Sequence, residues 1–229
     1  MTQQPSIRAG HLMAHSTRDL FRPPYATLAL LNVFLFVVSS AAPQADLLDM
    51  TLTLAVSAVS VYVQIAVTLA GAAADPGRSG DAWFRVAARR RCFWRVVGVQ
   101  LVTVLAVAGG ALLLVVGAFV AGGLVALAEA AAVLERAGPI EALRRSAHLG
   151  RPARAPLVAV FGALVLVPTV AGQAAYALGW PHPALVAAGA PLVALTTGGT
   201  LALARAFVAL GGAPAPSLEE LQHPDGVTA

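Results

Sequence analysis

The stretch that decides the fold is Val96–Leu134, which reads VVGVQLVTVLAVAGGALLLVVGAFVAGGLVALAEAAAVL. Its 39 residues carry a single charged side chain, that of Glu129. As one helix it would be about 58 Å long, whereas a bilayer core of about 30 Å is crossed by about 20 residues. The stretch therefore predicts either one over-long helix or a hairpin of two helices.

The arginines on either side of this stretch favour the hairpin. All 15 basic residues of the chain are arginines, and most of them flank Val96–Leu134. Those before it are Arg78, Arg85, Arg89, Arg90, Arg91 and Arg95, and those after it are Arg136, Arg144, Arg145, Arg151 and Arg154. If the positive-inside rule places both groups in the cytoplasm, the chain between them crosses an even number of times. Two crossings with a tight turn near Gly117 are expected, and a re-entrant hairpin covered by other helices is the alternative.

The composition assigns the whole chain to the membrane class. Of its 229 residues 58% are apolar and 11% are charged, and the mean hydropathy is +0.77, whereas soluble domains are about 45–50% apolar and about 25% charged. Six apolar blocks occupy residues 25–42, 48–70, 96–115, 118–134, 157–178 and 184–204. We predict an all-α, polytopic membrane helical bundle over residues 24–210, with about six transmembrane helices and short interfacial amphipathic helices.

The arginines also predict the orientation of the chain. Three arginines precede the first block, six follow the second, five follow the fourth and Arg205 ends the sixth, so none remains for the outer side. Residues 1–23 are then a cytoplasmic segment, and the Pro- and Glu-containing residues 211–229 form a disordered cytoplasmic tail. A cleavable signal peptide ending near Ser40-Ala41-Ala42 is the alternative for the first block, although 23 polar residues are long for its leading region.

The segment before Val96 has the composition of a helix at the lipid surface. Asp81 is positioned to cap a helix that runs through Trp83 to Trp94, with aromatic residues at both ends and arginines between them. The predicted interfacial anchors are Trp83, Phe84, Phe93, Trp94 and Trp180. The predicted contacts to lipid headgroups or a partner are Arg85, Arg89, Arg90, Arg91, Arg95, Arg144, Arg145 and Arg151. A specific site for an anionic ligand is the alternative, and nucleic acid is not expected, because the arginines lie at membrane boundaries.

A second ordered segment, the elbow, runs from Glu135 to Arg151. Gly138-Pro139 ends one helix and opens another, since proline suits the first helical position. Ile140, Leu143 and Ala147 share one face of the new helix, which predicts an amphipathic helix against the inner leaflet.

The elbow resembles one known family. The matching residues are Glu135, Gly138, Pro139, Ala142, Leu143, Arg144, Arg145, Ser146, Leu149 and Arg151. This pattern is similar to that of bacterial six-helix proteins related to the membrane domain of glycerophosphodiester phosphodiesterases. The chain departs from it at Val116-Gly117, where Pro-Gly is usual. The resemblance implies a membrane-embedded protein of the bacterial cytoplasmic membrane without an assigned reaction, and the catalytic barrel of the larger relatives has no counterpart here.

Few residues in the chain suit chemistry. Glu129 lies inside the fourth block, where a carboxylate is either functional or paired with a boundary arginine or water. Asn32, Gln64, Gln100 and Gln173 suit a polar path or, more commonly, hydrogen bonds between helices. Cys92 is the single cysteine, so no disulfide or thiolate metal site is expected, and we predict no catalytic residue, metal or cofactor.

Three classes of function remain open from the sequence. The first is a non-enzymatic membrane protein that organises or stabilises lipids or a protein partner through its arginine-rich cytoplasmic face. The second is the membrane component of an ATP-driven exporter, which would add an ATPase subunit as partner. The third is an intramembrane enzyme that acts on lipid, and it lacks a paired catalytic group, because Glu129 and Glu135 fall on different helix faces.

Overall fold

The computed structural model describes residues 9–41, 47–73, 80–89, 92–113 and 115–215. Every regular element among them is helical. The α-helices are α1 (Ala9–Asp19), α2 (Tyr25–Ala41), α3 (Leu47–Ala72), α4 (Gly80–Arg89), α5 (Phe93–Leu113), α6 (Val115–Val125), α7 (Ala128–Leu134), α8 (Pro139–Leu149), α9 (Arg154–Phe161), α10 (Val167–Ala177) and α11 (His182–Ala209). A 3-10 turn (Arg151–Ala153) precedes α9, and a π-helical turn (Gly162–Leu166) joins α9 to α10.

The deciding stretch folds as a hairpin. α5 ends at Leu113 and α6 begins at Val115, close to Gly117, near which the sequence predicted the turn. A side chain on Gly117 would overlap the carbonyl group of Gly110 on the opposite helix. At the other end of the hairpin a Cβ on Gly98 would lie 2.8 Å from Pro139 Cγ, so α8 begins beside the start of α5. The single helix of about 58 Å is therefore excluded.

Four helical stretches of the described chain are long and apolar enough to cross a membrane. They are Leu54–Ala72, Phe93–Gly110, Arg151–Gly172 and Pro183–Ala209. Two shorter apolar stretches, Tyr25–Val38 and Phe119–Leu134, complete the six predicted blocks. Large apolar side chains also face outward, among them Leu101, Val104 and Leu105. Length, composition and outer surface all suit a membrane protein.

Residues far apart in the sequence meet at one end of the bundle. Arg205 Nη1 donates to Asp19 Oδ2 at 2.8 Å, and its guanidinium lies 5.5 Å from the centre of the Tyr25 ring. The hydroxyl of Tyr25 donates to the carbonyl oxygen of Ala70 at 3.1 Å. The amide of Ala215 donates to the carbonyl oxygen of Ala72 at 3.2 Å. These bonds join α1, the start of α2, the end of α3 and the chain after α11.

The arginine-bearing segments belong to this same end. A Cβ on Gly80 would lie 3.0 Å from the carbonyl oxygen of Pro24, which places α4 at the start of α2. The amide of Ala213, just after α11, lies 3.4 Å from Glu135 Oε1, which places the elbow there as well. The described arginines of these segments are Arg18, Arg22, Arg85, Arg89, Arg95, Arg136, Arg144, Arg145, Arg151, Arg154 and Arg205. We call this side of the bundle the arginine end.

Parts of both terminal segments pack into the bundle. Residues 1–23 include a helix, α1, which packs against α11 and α9. Residues 211–215 belong to the fold rather than to a disordered tail, because Ala215 is buried and the amides of Ala213 and Ala215 are hydrogen-bonded. The rest of the predicted tail, residues 216–229, lies outside the described residues. The largest fully buried side chains include Leu69, Trp83, Leu127 and Phe207, so the core lies toward the arginine end.

A helix break next to the elbow is held by one serine. α6 ends at Val125 and α7 begins at Ala128, which disturbs the helical hydrogen bonds around the break. The buried hydroxyl of Ser146 donates to the carbonyl oxygen of Leu124 at 2.8 Å and accepts from the amide of Leu127 at 3.1 Å. Ser146 thus satisfies a donor and an acceptor that the break leaves free.

We expect Ser146→Ala to destabilise the protein by about 1–3 kcal/mol, because it leaves a buried amide and a buried carbonyl oxygen without this partner. Ser57→Ala is the matched control, since Ser57 is exposed on α3 and its loss is expected to cost less than about 0.5 kcal/mol. Thermal unfolding in a mild detergent measures the difference. Equal melting temperatures for the two variants would contradict this role of Ser146.

Candidate functional site

The elbow is built around an ion pair. Arg145 Nε donates to Glu135 Oε2 at 3.0 Å, and Arg145 Nη2 donates to Glu135 Oε1 at 3.1 Å. The chain turns between these residues through Arg136, whose φ of 54° lies in the left-handed region, and through Gly138, which is extended before Pro139 opens α8. Ala142 and Ser146 form the buried face of α8, while Arg144 and Ile140 are exposed. The ion pair therefore fixes the direction in which α8 leaves α7.

The predicted surface helix separates into two helices. α4 ends at Arg89, and Phe93 and Trp94 belong to the start of α5. Trp83 differs from its predicted role as an interfacial anchor, because its side chain is fully buried in the core. α4 presents Asp81, Arg85 and Arg89 on its exposed side instead.

The other predicted anchors occupy two kinds of environment. Trp94 is 79% exposed and Trp180 is 47% exposed, as expected for rings that contact the interface. Phe93 stacks on Tyr62 at 5.1 Å between ring centres, and Phe84 meets the edge of the same ring at 6.5 Å. The two phenylalanines therefore also tie α4 and α5 to α3. Leu143, in the elbow, is partly buried against the core.

Three acidic residues at the arginine end are paired with arginines, and a fourth, Glu141 of α8, is exposed and forms no ion pair with the described residues. Asp19 pairs with Arg205 and Arg22, Asp81 with Arg85 at 2.8 Å, and Glu135 with Arg145. Four other predicted contact residues are exposed and form no ion pair with the described residues. They are Arg89, Arg95, Arg144 and Arg151. Arg90 and Arg91 lie outside the described residues. The arginine end thus presents positive charge that the described chain does not neutralise.

A cavity of about 1030 Å³ lies deeper in the bundle. It is formed by α3, α5, α6, α7, α9, α10, α11 and the π-helical turn, and apolar side chains make up most of its wall. Gln64, Gln100, Glu129 and five threonines supply its polar groups, and Glu129 is the one charged residue among the described residues that line it. Its volume is that of a site for a small organic molecule.

Two glutamines and a carboxylate are the main polar groups of this cavity. The side-chain amide of Gln100 donates to the side-chain oxygen of Gln64 across α5 and α3. Oε1 of Glu129 is shielded from solvent and has no hydrogen-bond partner among the described residues. Beside the cavity Asn32 donates to Thr197 at 3.0 Å and accepts from Ser60 at 3.0 Å, while the side chain of Gln173 lies outside the described part. The side-chain amides of Asn32, Gln64 and Gln100 thus form hydrogen bonds between helices, whereas Oε1 of Glu129 forms none with the described residues.

Glycines shape the wall of the cavity on one side. Side chains on Gly122 and Gly123 would overlap Phe161 and Val158 of α9, and a Cβ on Gly162 would lie 2.6 Å from the ring of Phe119. The absence of side chains at these glycines lets α6 and α9 approach closely, as small residues do between membrane helices. The π-helical turn of this wall ends at Leu166, two residues before Pro168, which cannot donate a backbone hydrogen bond. No sequence signal alone predicted that these features would leave a cavity.

Comparison with known proteins gives no relative. No protein-family model matches the chain, and no curated protein or solved structure matches it either. The resemblance of the elbow to the family named above therefore stays a prediction. Among the described residues there is also no group of three or more His, Cys, Asp or Glu side chains placed to hold a metal ion.

We expect Arg145→Gln to lower the free energy of unfolding by about 1–3 kcal/mol, because it removes charge-assisted bonds to Glu135 that are only partly exposed. Arg85→Gln is the control, since both side chains of its pair with Asp81 are about two-thirds exposed. Chemical or thermal unfolding of both variants in one detergent makes the comparison. An effect of Arg85→Gln as large as that of Arg145→Gln would be the contrary result.

Proposed function

We propose that this chain is a non-enzymatic protein of the bacterial cytoplasmic membrane that binds acidic lipid headgroups at its arginine end. The observation that carries the proposal is the charge arrangement at that end. Asp19, Asp81 and Glu135 are paired there and Glu141 is a single exposed carboxylate, while four arginines, Arg89, Arg95, Arg144 and Arg151, are exposed without an ion-pair partner among the described residues.

The chemistry of these side chains favours phosphate as their partner. A guanidinium group is always charged and binds phosphate oxygens through two parallel hydrogen bonds. Basic residues next to a membrane gain about 1 kcal/mol each from an acidic leaflet. Trp94, which is exposed beside Arg95, suits the headgroup layer at the same depth.

The same proposal includes six crossings with both termini in the cytoplasm. The four long apolar helices supply four crossings, and the two shorter ones, in α2 and in α6 with α7, supply two more. An even number of crossings between successive arginine-bearing segments fits their meeting at one end. The helix break at residues 126–127 is compatible with a crossing because Ser146 satisfies backbone groups there.

Two observations make the other classes of function weaker. In the exporter alternative α4 would be the helix that contacts an ATPase, yet Trp83, Val86 and Ala87 of α4 are buried in the bundle. In the enzyme alternative Glu129 and Glu135 would act together, yet Glu135 is engaged by Arg145 and Glu129 lies in the cavity. Lipid binding at the arginine end requires neither α4 nor the two glutamates to change position.

We expect phosphatidylglycerol to raise the melting temperature of the detergent-purified protein more than phosphatidylcholine does. The triple variant Arg89→Gln, Arg144→Gln, Arg151→Gln should lose this preference, because about 3 kcal/mol of attraction to acidic lipid is removed. The triple variant with lysine at the same positions is the control and should keep most of it. Equal stabilisation of the wild type by both lipids would contradict the proposal.

A further inference from the structure

The cavity opens toward the apolar outside of the bundle. Val104 and Ala108 of α5 and Val167 and Val170 of α10 line it and are themselves exposed. Its mouth therefore lies between these two helices, on a surface that would face lipid chains if the chain spans a membrane. A molecule dissolved in the hydrocarbon layer would reach the cavity without passing the arginine end.

The wall of the cavity holds a carboxyl group without a hydrogen-bond partner for one of its oxygens. Oε1 of Glu129 is shielded from solvent and makes no hydrogen bond with the described residues. No arginine or histidine is among the residues that line the cavity. Arg205 directly follows the lining residue Ala204, but its guanidinium is bound to Asp19 and lies over Tyr25. The protein therefore supplies no counter-ion of its own to Glu129 in the described chain.

The requirements of this carboxylate define what fits the cavity. A carboxylate removed from water is costly unless a cation or hydrogen-bond donors accompany it. An anion would be repelled, and a neutral hydrocarbon chain would leave Glu129 without a partner. The apolar wall suits a hydrophobic body, and a volume of about 1030 Å³ is enough for a molecule of drug size.

We propose that the cavity binds a hydrophobic organic cation, an amine or quaternary ammonium that carries apolar groups, with its charge beside Glu129. The cation enters from the lipid between α5 and α10, and its apolar groups contact the valines and phenylalanines of the wall. The paired amides of Gln64 and Gln100 lie in the same wall and offer further polar contacts. This site is separate from the arginine end and takes ligands of the opposite charge.

The test uses tetraphenylphosphonium as a hydrophobic cation and tetraphenylborate as an anion of the same size and shape. Equilibrium dialysis of the full chain in an uncharged detergent, corrected for empty micelles, measures the binding of each. We expect saturable binding of the cation to the wild type and at least tenfold weaker binding to Glu129→Gln. Tetraphenylborate should show no saturable binding to the wild type.

Three further variants separate the charge of Glu129 from its structural contribution. Glu129→Asp keeps the charge and should bind the cation within a few-fold of the wild type. Ala108→Trp keeps Glu129 but fills the mouth, and it should weaken binding at least tenfold. Glu141→Gln removes an exposed carboxylate of α8 outside the cavity and should change nothing. Size-exclusion profiles and melting temperatures establish that each variant is folded.

Either of two results would overturn the proposal. One is the absence of saturable cation binding to the wild type, and the other is equal binding to the wild type and to folded Glu129→Gln or Ala108→Trp. In that case the cavity holds only lipid chains. If Glu129→Gln does not fold, Ala108→Trp and the borate control decide the matter. Headgroup binding at the arginine end is measured independently and does not depend on this outcome.

Discussion

In the proposed membrane arrangement, the exclusion of arginine from hydrocarbon is the constraint on which the rest of this structure depends. A guanidinium cannot lose its charge and is costly at the centre of a bilayer, so each arginine-bearing segment has to stay at a boundary. In this chain those segments alternate with pairs of apolar helices and meet at one end of the bundle. Hydropathy alone left this alternation least certain at the hairpin of α5 and α6–α7, because Val96–Leu134 could also have formed one long helix. Its reversal between Leu113 and Val115 returns the chain to the arginine end.

The polar groups of these segments bind one another and stabilise the packing of the helices. Arg205 binds Asp19, Glu135 binds Arg145 and meets the amide of Ala213, and Ser146 bridges the break between α6 and α7. Three of the four described acidic groups of this end are used in ion pairs, which leaves several arginines for an external anion. Farther along the bundle the situation is reversed, because Glu129 has no cation among the described residues. The two proposed sites, one at the boundary and one in the apolar interior, therefore take ligands of opposite charge.

The sequence predicted the positions of the helices and the existence of the hairpin, because long apolar runs and segregated arginines report directly on solvent and boundary. It predicted a turn near Gly117, and α6 begins close by at Val115; it did not predict that Gly117 also allows close packing against Gly110, because the two uses of glycine look alike in a sequence. It assigned Trp83 to the interface because an aromatic residue beside arginines suits both the headgroup layer and a core. The role of Ser146 was hidden, because the helix break at residues 126–127 contains neither glycine nor proline. The cavity depends on how seven helices and the π-helical turn pack, and no local pattern encodes that.

The most direct test of the arginine-end arrangement is the side of the membrane on which the hairpin reverses. A cysteine at residue 114, between α5 and α6, is compared with cysteines at Trp180 and at Arg151 in a Cys92→Ala background. The reagent is a membrane-impermeant maleimide, applied to intact cells and to permeabilised cells. The account predicts labelling of positions 114 and 180 in intact cells and of position 151 only after permeabilisation. Labelling of position 114 only after permeabilisation, together with position 151, would contradict it.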